Sequence, residues 1–159
     1  MNEVLKILEA DARMPPEKIA TMTGMALSDV LKTIEDAERE GVILKYKTLV
    51  NWDKVQGEQV WALIEVKVTP QKDVGFDAIA TRIYRFPETR SVYLISGSYD
   101  LFVVVVGKSN HEIADFVSQK LSHIDGVHET FTQFVLKRYK EEGEIITGDE
   151  PVKRQQVVL

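Results

Sequence analysis

The feature that most constrains this chain is an apolar run over residues 101–106, directly after the motif Ser-Gly-Ser-Tyr-Asp at residues 96–100. Residues 92–95, before the motif, are β-branched, aromatic or aliphatic, and Gly97 can adopt the positive φ that a tight hairpin turn requires. A strand without polar alternation belongs at the centre of a sheet that is covered on at least one face. The motif therefore predicts a β-hairpin in the middle of a sheet.

Helical periodicity flanks this hairpin on both sides, over residues 74–86 and 110–124. A further strand flanks each helix, over residues 60–68 and 127–139. The resulting order, β-α-β-β-α-β, is that of the split βαβ or ferredoxin-like unit. The first of the two helices should place four apolar side chains toward the sheet: Phe76, Ile79, Ala80 and Ile83.

Residues 1–50 predict three helices followed by a ribbon. The second helix begins at residues 14–17, where proline suits a first turn, and ends at Gly24. The third helix stops at Gly41, and residues 42–50 then alternate like a short two-stranded ribbon. Three helices with a turn before the third, followed by a ribbon, form the winged helix-turn-helix pattern. Spacings of three and four residues place four side chains of the third helix on one buried face: Leu27, Val30, Ile34 and Ala37.

Length and composition bound the class of protein. The chain has 159 residues, of which 44% are hydrophobic, so it can form one domain or two small ones. Cysteine is absent, which excludes a disulfide framework and a thiolate metal site. Neither a signal peptide nor a membrane span is evident, so we expect a cytoplasmic protein with no membrane partner. The formal net charge of −5 argues against indiscriminate nucleic-acid binding but permits a local basic face.

No residue pattern points to an enzyme. The three histidines, His111, His123 and His128, lack the paired spacing of a metal site. The chain also lacks a glycine-rich phosphate loop, a nucleophile elbow and a His-Glu-x-x-His sequence. We therefore expect no catalytic residue, no metal and no cofactor.

Two sets of residues resemble one known family. Ile19-Ala20, Gly24, residues 38–43 and Tyr46 are similar to the DNA-binding half of the Lrp/AsnC, or feast/famine, transcriptional regulators. The β-α-β-β-α-β order and the 96–100 motif are similar to the family's effector-binding domain, the RAM domain. In that domain a small molecule, commonly an amino acid, binds between subunits. The resemblance runs from about Val4 to Arg138 and covers nearly the whole chain.

The resemblance implies an α+β fold with a defined order of domains. A winged helix-turn-helix DNA-binding domain is expected over residues 1–50, and a linker over residues 51–59. A ferredoxin-like effector-binding and oligomerisation domain is expected over residues 60–140. The tail over residues 141–159 begins with charged residues, which we expect to be mobile, and ends with apolar residues suited to one more strand.

The function that the resemblance implies is DNA-binding transcriptional regulation, modulated by a small-molecule effector of the amino-acid class. The expected partners are double-stranded DNA, the effector and further copies of the chain. A lone subunit would leave the apolar surface of residues 94–95 and 102–106 in contact with water, so two copies should bury these faces in an obligate homodimer. Such dimers can assemble further into tetramers or octamers.

The candidate DNA contacts lie on the second and third helices and on the ribbon: Lys18, Ser28, Asp29, Lys32, Lys45 and Lys47. Residues 1–57 contain eight basic and ten acidic residues, and Asp29 stands near the start of the third helix, where it would repel phosphate. Ala26 stands where the family usually has serine, and alanine cannot cap a helix. An alternative therefore stays open: an amino-acid-sensing or assembly module with lost or weak DNA binding.

The candidate effector contacts are centred on the 96–100 motif. Backbone N–H groups of this turn can bind the carboxylate of an amino acid, while Asp100 pairs with its ammonium. A plain turn role stays open, because glycine, serine and aspartate are common turn residues. Together with hydroxyl candidates on the last strand, the effector contacts are Gly97, Ser98, Tyr99, Asp100, Thr130 and Thr132.

Overall fold

A computed structural model of the chain describes residues 2–55, 59–69 and 75–146, apart from the side chain of residue 53. The chain divides into two units, Met1–Val50 and Asn51–Leu159. Across the described ranges, no helix combines the length and the apolar character needed to cross a membrane.

The first unit contains three helices, α1 (Asn2–Ala10), α2 (Pro16–Thr23) and α3 (Leu27–Arg39). Pro16 occupies the first turn of α2, and Gly24 ends this helix with a left-handed φ of 70°. The helices therefore form where proline, glycine and apolar spacing predict them. They meet around a small core of four buried side chains: Val4, Leu8, Ile19 and Val30.

Two expectations for the first unit are wrong. Leu27 is 39% exposed, whereas Met25 in the preceding turn packs against the core. The predicted ribbon over residues 42–50 is not formed. The N–H groups of Val42 and Ile43 instead donate to the carbonyl of Ala37, at 2.8 and 3.0 Å, and residues 44–50 are exposed. A two-stranded ribbon without a core to pack on is only marginally stable.

The second unit is built around a four-stranded antiparallel sheet in the order β2-β3-β1-β4. This order and the chain order of the elements confirm the predicted ferredoxin-like unit. The elements are β1 (Val60–Val68), α4 (Asp77–Tyr84), β2 (Thr89–Leu94), β3 (Leu101–Gly107), α5 (Asn110–Asp115), β4 (Val127–Phe134), β5 (Lys140–Glu141) and β6 (Glu144–Ile145). Beyond α5 the helix continues through a wide π-type segment, Phe116–Lys120, and a 3-10 turn, Leu121–His123.

The core of the second unit lies between the sheet and its helices. The run over residues 101–106 is confirmed as part of a central strand, because β3 pairs with β2 on one side and β1 on the other. Ile79 and Ile83 of α4 are fully buried, and Phe76 and Ala80 pack against the same core, as expected. The sheet contributes seven buried side chains: Ala62, Ile64, Val66, Val68, Leu101, Val103 and Val105.

Several boundaries differ from those expected. Helix α4 is shorter than the predicted 74–86, and Val74 lies outside the described residues. Strand β4 ends at Phe134 instead of residue 139, although the N–H of Val135 still donates to Trp61 at 2.8 Å. The charged start of the tail forms the β5–β6 hairpin, and Ile146 behind it is only 8% exposed. The expected strand over residues 152–159 lies outside the described residues.

Candidate effector site and DNA-binding surface

The β2–β3 turn, residues 95–100, joins the two strands of the central hairpin. It spans six residues, so it is wider than the tight turn that the motif predicts, and it closes with a 2.9 Å hydrogen bond from the N–H of Ile95 to the carbonyl of Asp100. Gly97 has a φ of 148°, in the region where glycine is favoured. The expected positive φ at this glycine is therefore present.

Asp100 holds the end of this turn against β1. Its N–H donates to the carbonyl of Val66 at 3.1 Å, and its Oδ2 accepts from the N–H of Val68 at 2.9 Å. The ammonium of Lys67 lies 3.4 Å from the same carboxylate. The Asp100 side chain is only 19% exposed. Its carboxylate thus already has a backbone donor and a cation, and this geometry favours the turn role over direct binding of a ligand ammonium.

Lys67 provides a second connection between β1 and the turn. Its Nζ donates to the carbonyl of Ser98 at 2.8 Å, in addition to its contact with Asp100. We use the name turn clamp for three contacts: Lys67 with Asp100, Lys67 with the Ser98 carbonyl, and the Val68 N–H with the Asp100 carboxylate. Sequence reasoning missed Lys67, because the pattern of β1 does not reveal which loop its last residues face. The turn clamp therefore fixes the backbone conformation of the solvent-exposed turn relative to β1.

Tyr99 points away from the clamp toward the last strand of the sheet. Its hydroxyl donates to Oε1 of Glu129 on β4 at 3.2 Å. Desolvation raises the pKa of Tyr99, and the carboxylates of Glu129 and Glu65 raise it further. The phenol is therefore protonated, and able to donate, near neutral pH. Glu129 was also missed by sequence reasoning, since its proximity to the turn depends on the register of β4 on β1.

Thr130 and Thr132 lie on the other face of β4. They pair with Val66 and Ile64, whose side chains are buried under the helices, whereas Glu129 pairs with Lys67. Because side chains alternate along a strand, the two threonines and Glu129 project to opposite faces of the sheet. The structure therefore brings Tyr99 and Asp100 into contact with β1 and β4, but places both threonines on the helix-covered side.

The face of the sheet opposite the helices is largely apolar. We call it the open face. Its side chains are half-buried or exposed, including Phe131 at 51% and Tyr93 at 53% exposure. Its polar members are Ser91, Gln133, Glu65, Lys67 and Glu129, and the last three lie toward the end of the sheet that carries the β2–β3 turn. The apolar members of the open face are Trp61, Leu63, Tyr93, Phe102, Val104, Val106 and Phe131.

The candidate DNA-binding residues are all exposed. Lys18 lies on α2, and three others lie in the first two turns of α3: Ser28, Asp29 and Lys32. Lys45 and Lys47 lie in the segment 42–50, which has no strand pairing. Ala26 at the start of α3 makes no side-chain capping bond, and the N–H groups of Asp29 and Val30 donate to its carbonyl at 3.0 and 3.1 Å, which leaves those of Leu27 and Ser28 at the open end of the helix.

The histidines make ordinary pairwise contacts. His128 Nε2 lies 2.6 Å from the hydroxyl of Thr69, and His111 Nε2 lies 3.5 Å from the carboxylate of Asp115. Within the part of the chain that the structure describes, no group of three or more His, Asp and Glu side chains converges to hold a metal ion.

Comparison with known proteins identifies the family. The family model for the Lrp/AsnC ligand binding domain matches residues 61–145. The chain belongs to the Lrp/AsnC family. Across 94% of this chain and 91% of its relative, it is 49% identical to YugG of Bacillus subtilis, an uncharacterized HTH-type transcriptional regulator. It is also 32% identical to the HTH-type transcriptional regulator FL11 of Pyrococcus furiosus, over 91% of this chain and 92% of FL11.

Solved structures confirm the Lrp/AsnC fold. A transcriptional regulator from Neisseria meningitidis, solved as a complex with L-Met, aligns with a TM-score of 0.70 and 22% identity over 87% of this chain and 89% of that chain. A feast or famine regulatory protein from M. tuberculosis, complexed with L-methionine, aligns with a TM-score of 0.72 and 21% identity over 92% and 96%. The α+β fold, with a helix-turn-helix unit before a ferredoxin-like unit, is thus that of the family.

Proposed function

We propose that this Lrp/AsnC protein is a cytoplasmic, DNA-binding transcriptional regulator whose assembly or DNA affinity responds to an amino-acid effector. The observation that carries the proposal is the presence, in one chain, of a three-helix unit and a matched Lrp/AsnC ligand binding domain. Two structural neighbours were solved with L-methionine, which supports an amino acid as the effector class.

The exposed start of α3 is the proposed reading element. Ser28 and Lys32 stand within the first two turns of this helix, where helix-turn-helix proteins contact base edges. Lys18, Lys45 and Lys47 supply the flanking cations for phosphate contact. Asp29 opposes them, so the contact of one copy with DNA should be weak. Linking two or more copies then multiplies this contact through effective concentration.

A second copy of the chain is the proposed partner of the open face. An apolar sheet face of this kind is characteristic of a surface that is buried against another protein. A two-fold pair of identical sheets places the same apolar residues against each other and hides them from water. A ligand bound beside the β2–β3 turn would then touch the region where subunits meet. Its differential affinity for two assemblies would shift the balance between them and so regulate DNA binding.

The DNA contact can be tested by capturing genomic fragments on the full-length protein at low salt and sequencing them. Enrichment of a common motif is expected, and binding to that motif should weaken steeply as salt rises. Changing Lys45 and Lys47 together to alanine should weaken binding to all sequences and reduce the slope of log affinity against log salt by about 2 for each copy that contacts the DNA. The matched control is Lys137 with Lys140 in the second unit, where the same change should leave the slope intact. An unchanged slope in the Lys45/Lys47 variant would place the phosphate contacts elsewhere.

The acidic character of the first unit favours a second candidate function, an amino-acid-sensing or assembly module without useful DNA affinity. Residues 1–57 carry a net charge of −2, and Asp29 lies in the first turn of α3. This candidate predicts that no genomic sequence is enriched even at low salt, while amino acids still change the mass of the assembly in light scattering. Enrichment of a defined motif would exclude it.

A further inference from the structure

The turn clamp raises the question of which group would bind the ammonium of an amino-acid effector. The Asp100 carboxylate accepts from the Val68 N–H and lies beside Lys67, with 19% of its side chain exposed. A ligand ammonium at this carboxylate would compete with a cation that is already held there by the chain. Another carboxylate beside the turn would avoid this competition.

Glu129 is a second carboxylate beside the turn: Lys67 is its cross-strand neighbour on β1, but the ion pair recorded for Lys67 among the described residues is with Asp100. It lies on β4, is exposed, and accepts the Tyr99 hydroxyl on Oε1 at 3.2 Å. Among the described residues, no contact is recorded for its other carboxylate oxygen. Glu65 lies on the same face of the sheet and close enough to Tyr99 to raise its pKa, but its cross-strand neighbours are the aromatic side chains of Phe102 and Phe131. Charge binding to Glu65 would therefore require ligand charge to enter an apolar surface.

The turn also supplies donors for the other end of an amino acid. For the backbone N–H groups of Gly97, Ser98 and Tyr99, the structure records no acceptor within its described residues. Consecutive N–H groups of this kind are suitable donors for a carboxylate. Tyr99 connects the two ends of the site, because its backbone belongs to the donors and its hydroxyl holds Glu129.

We propose that Glu129, oriented by the Tyr99 hydroxyl, binds the ammonium of the amino-acid effector, and that Asp100 and Lys67 position the turn. This inference rests on the proposed function, since it specifies residues within the proposed effector site. The effector carboxylate accepts hydrogen bonds from the N–H groups of the turn. The effector ammonium donates to Oε2 of Glu129, the carboxylate oxygen that does not accept from Tyr99. The site therefore selects ligands that carry both charges, and discriminates against acids that lack the amino group.

Calorimetric titration of the full-length protein against the twenty amino acids, and against the deaminated form of the tightest binder, tests this assignment. Glu129→Gln should weaken binding of the amino acid by about ten- to hundredfold, the value of one charge-assisted hydrogen bond, and change binding of the deaminated acid by less than about twofold. Because Glu129 is exposed, the Glu129→Gln protein should keep the melting temperature of the wild type. Glu65→Gln, the matched control on the same face, should leave both affinities within about twofold of the wild type.

Asp100→Asn separates positioning from ligand contact. A positioning residue affects the shape of the whole turn. This variant should therefore lower the affinities for the amino acid and for the deaminated acid by similar factors. If Asp100→Asn instead weakens only the amino acid, while Glu129→Gln leaves both ligands unchanged, the assignment is overturned and the proposed function stands. If the wild-type protein binds no amino acid at all, both the amino-acid part of the proposed function and this assignment are overturned.

Discussion

The two faces of the central sheet differ although the same strands form both. In β3, Leu101, Val103 and Val105 are at most 1% exposed beneath the helices, whereas Phe102 and Val104 alternate with them on the open face and are half-buried. All five side chains are apolar. The difference is therefore one of covering: the described part of the chain provides helices for one face, and the other retains an apolar surface that water contacts.

This contrast assigns separate roles to neighbouring residues. Burial under α4 and α5 stabilises the fold of a single chain, at roughly 25 cal/mol for each Å² of apolar surface removed from water. The same chemistry on the open face can act only when a second surface arrives. When helices cover only one face of a sheet, an uninterrupted apolar central strand therefore indicates assembly as well as folding. One set of its side chains is buried under the helices, and the other set is available to a second subunit.

The largest expected effect comes from the covered face. Ile64 is fully buried, so Ile64→Ala should lower the free energy of unfolding by about 2–5 kcal/mol through lost burial and a residual cavity. Its neighbour Leu63 lies half-buried on the open face, and Leu63→Ala should cost distinctly less. Urea denaturation of both variants at one fixed protein concentration provides the comparison. Equal losses would mean that a second copy buries Leu63 as completely as the helices bury Ile64.

A charge on the open face should separate assembly from folding. Val104→Lys would bury an unpaired ammonium between two sheets, and the cost of desolvating it should prevent pairing. Light scattering should then report the mass of one chain, while circular dichroism shows an unchanged fold. Ala114→Lys, on the exposed side of α5, adds the same charge as a control and should keep the wild-type mass. A Val104→Lys protein that retains the wild-type assembly would move the subunit contact away from the open face.

Much of this architecture follows from sequence pattern, because period and turn chemistry act locally. The apolar run of residues 101–106, the stripe of Ile79 and Ile83, and the proline and glycine around α2 all predicted elements that the structure contains. The ribbon over residues 42–50 does not form although its residues alternate, because only Ile43 packs against the core and residues 44–50 are exposed. A pattern shows which strand geometry is possible, and packing decides whether the strand forms.

The candidate site was only partly predictable, for a different reason. The β2–β3 turn is local, so glycine and aspartate marked it correctly. The partners of its side chains lie about thirty residues away in sequence: Lys67 with Asp100, and Tyr99 with Glu129. These pairs depend on the register of β1 with β3 and β4, and one residue of slip would turn each side chain to the other face. Without the register, Asp100 was the natural candidate for the ligand ammonium.

A smaller effect on folding is expected at the β2–β3 turn, at the end of the sheet. Asp100→Ala removes a carboxylate that accepts from the Val68 N–H and from Lys67, so unfolding should become easier by about 1.5–3 kcal/mol. Thermal and urea unfolding of the variant measure this loss. Ser96→Ala, at an exposed position of the same turn, should change stability by less than about 0.5 kcal/mol. If Asp100→Ala is as stable as the wild type, the clamp contributes nothing to the fold and its positioning role fails with it.

The smallest expected effect is the pH dependence of stability that arises from the ion pair between Glu88 and Lys120. Burial alone would raise the pKa of Glu88, but its hydrogen bond and ion pair with Lys120 outweigh burial, and the net result is a lowered pKa. Because the folded-state pKa lies below the unfolded value of about 4.5, the stability from this pair is present above that pH and is lost as pH falls through the folded-state pKa.

Glu88→Gln removes the charge that titrates. The variant should be less stable than the wild type by on the order of 1 kcal/mol near neutral pH, and this difference should shrink as the wild-type carboxylate protonates in acid. Urea titrations of both proteins at a series of pH values from neutral to acid measure the difference. Asp125→Asn is a suitable control, because Asp125 is 89% exposed and lies 3.9 Å from Arg82, so its loss should leave the pH profile nearly unchanged. A Glu88→Gln difference that stays constant with pH would assign the role of Glu88 to packing instead of charge.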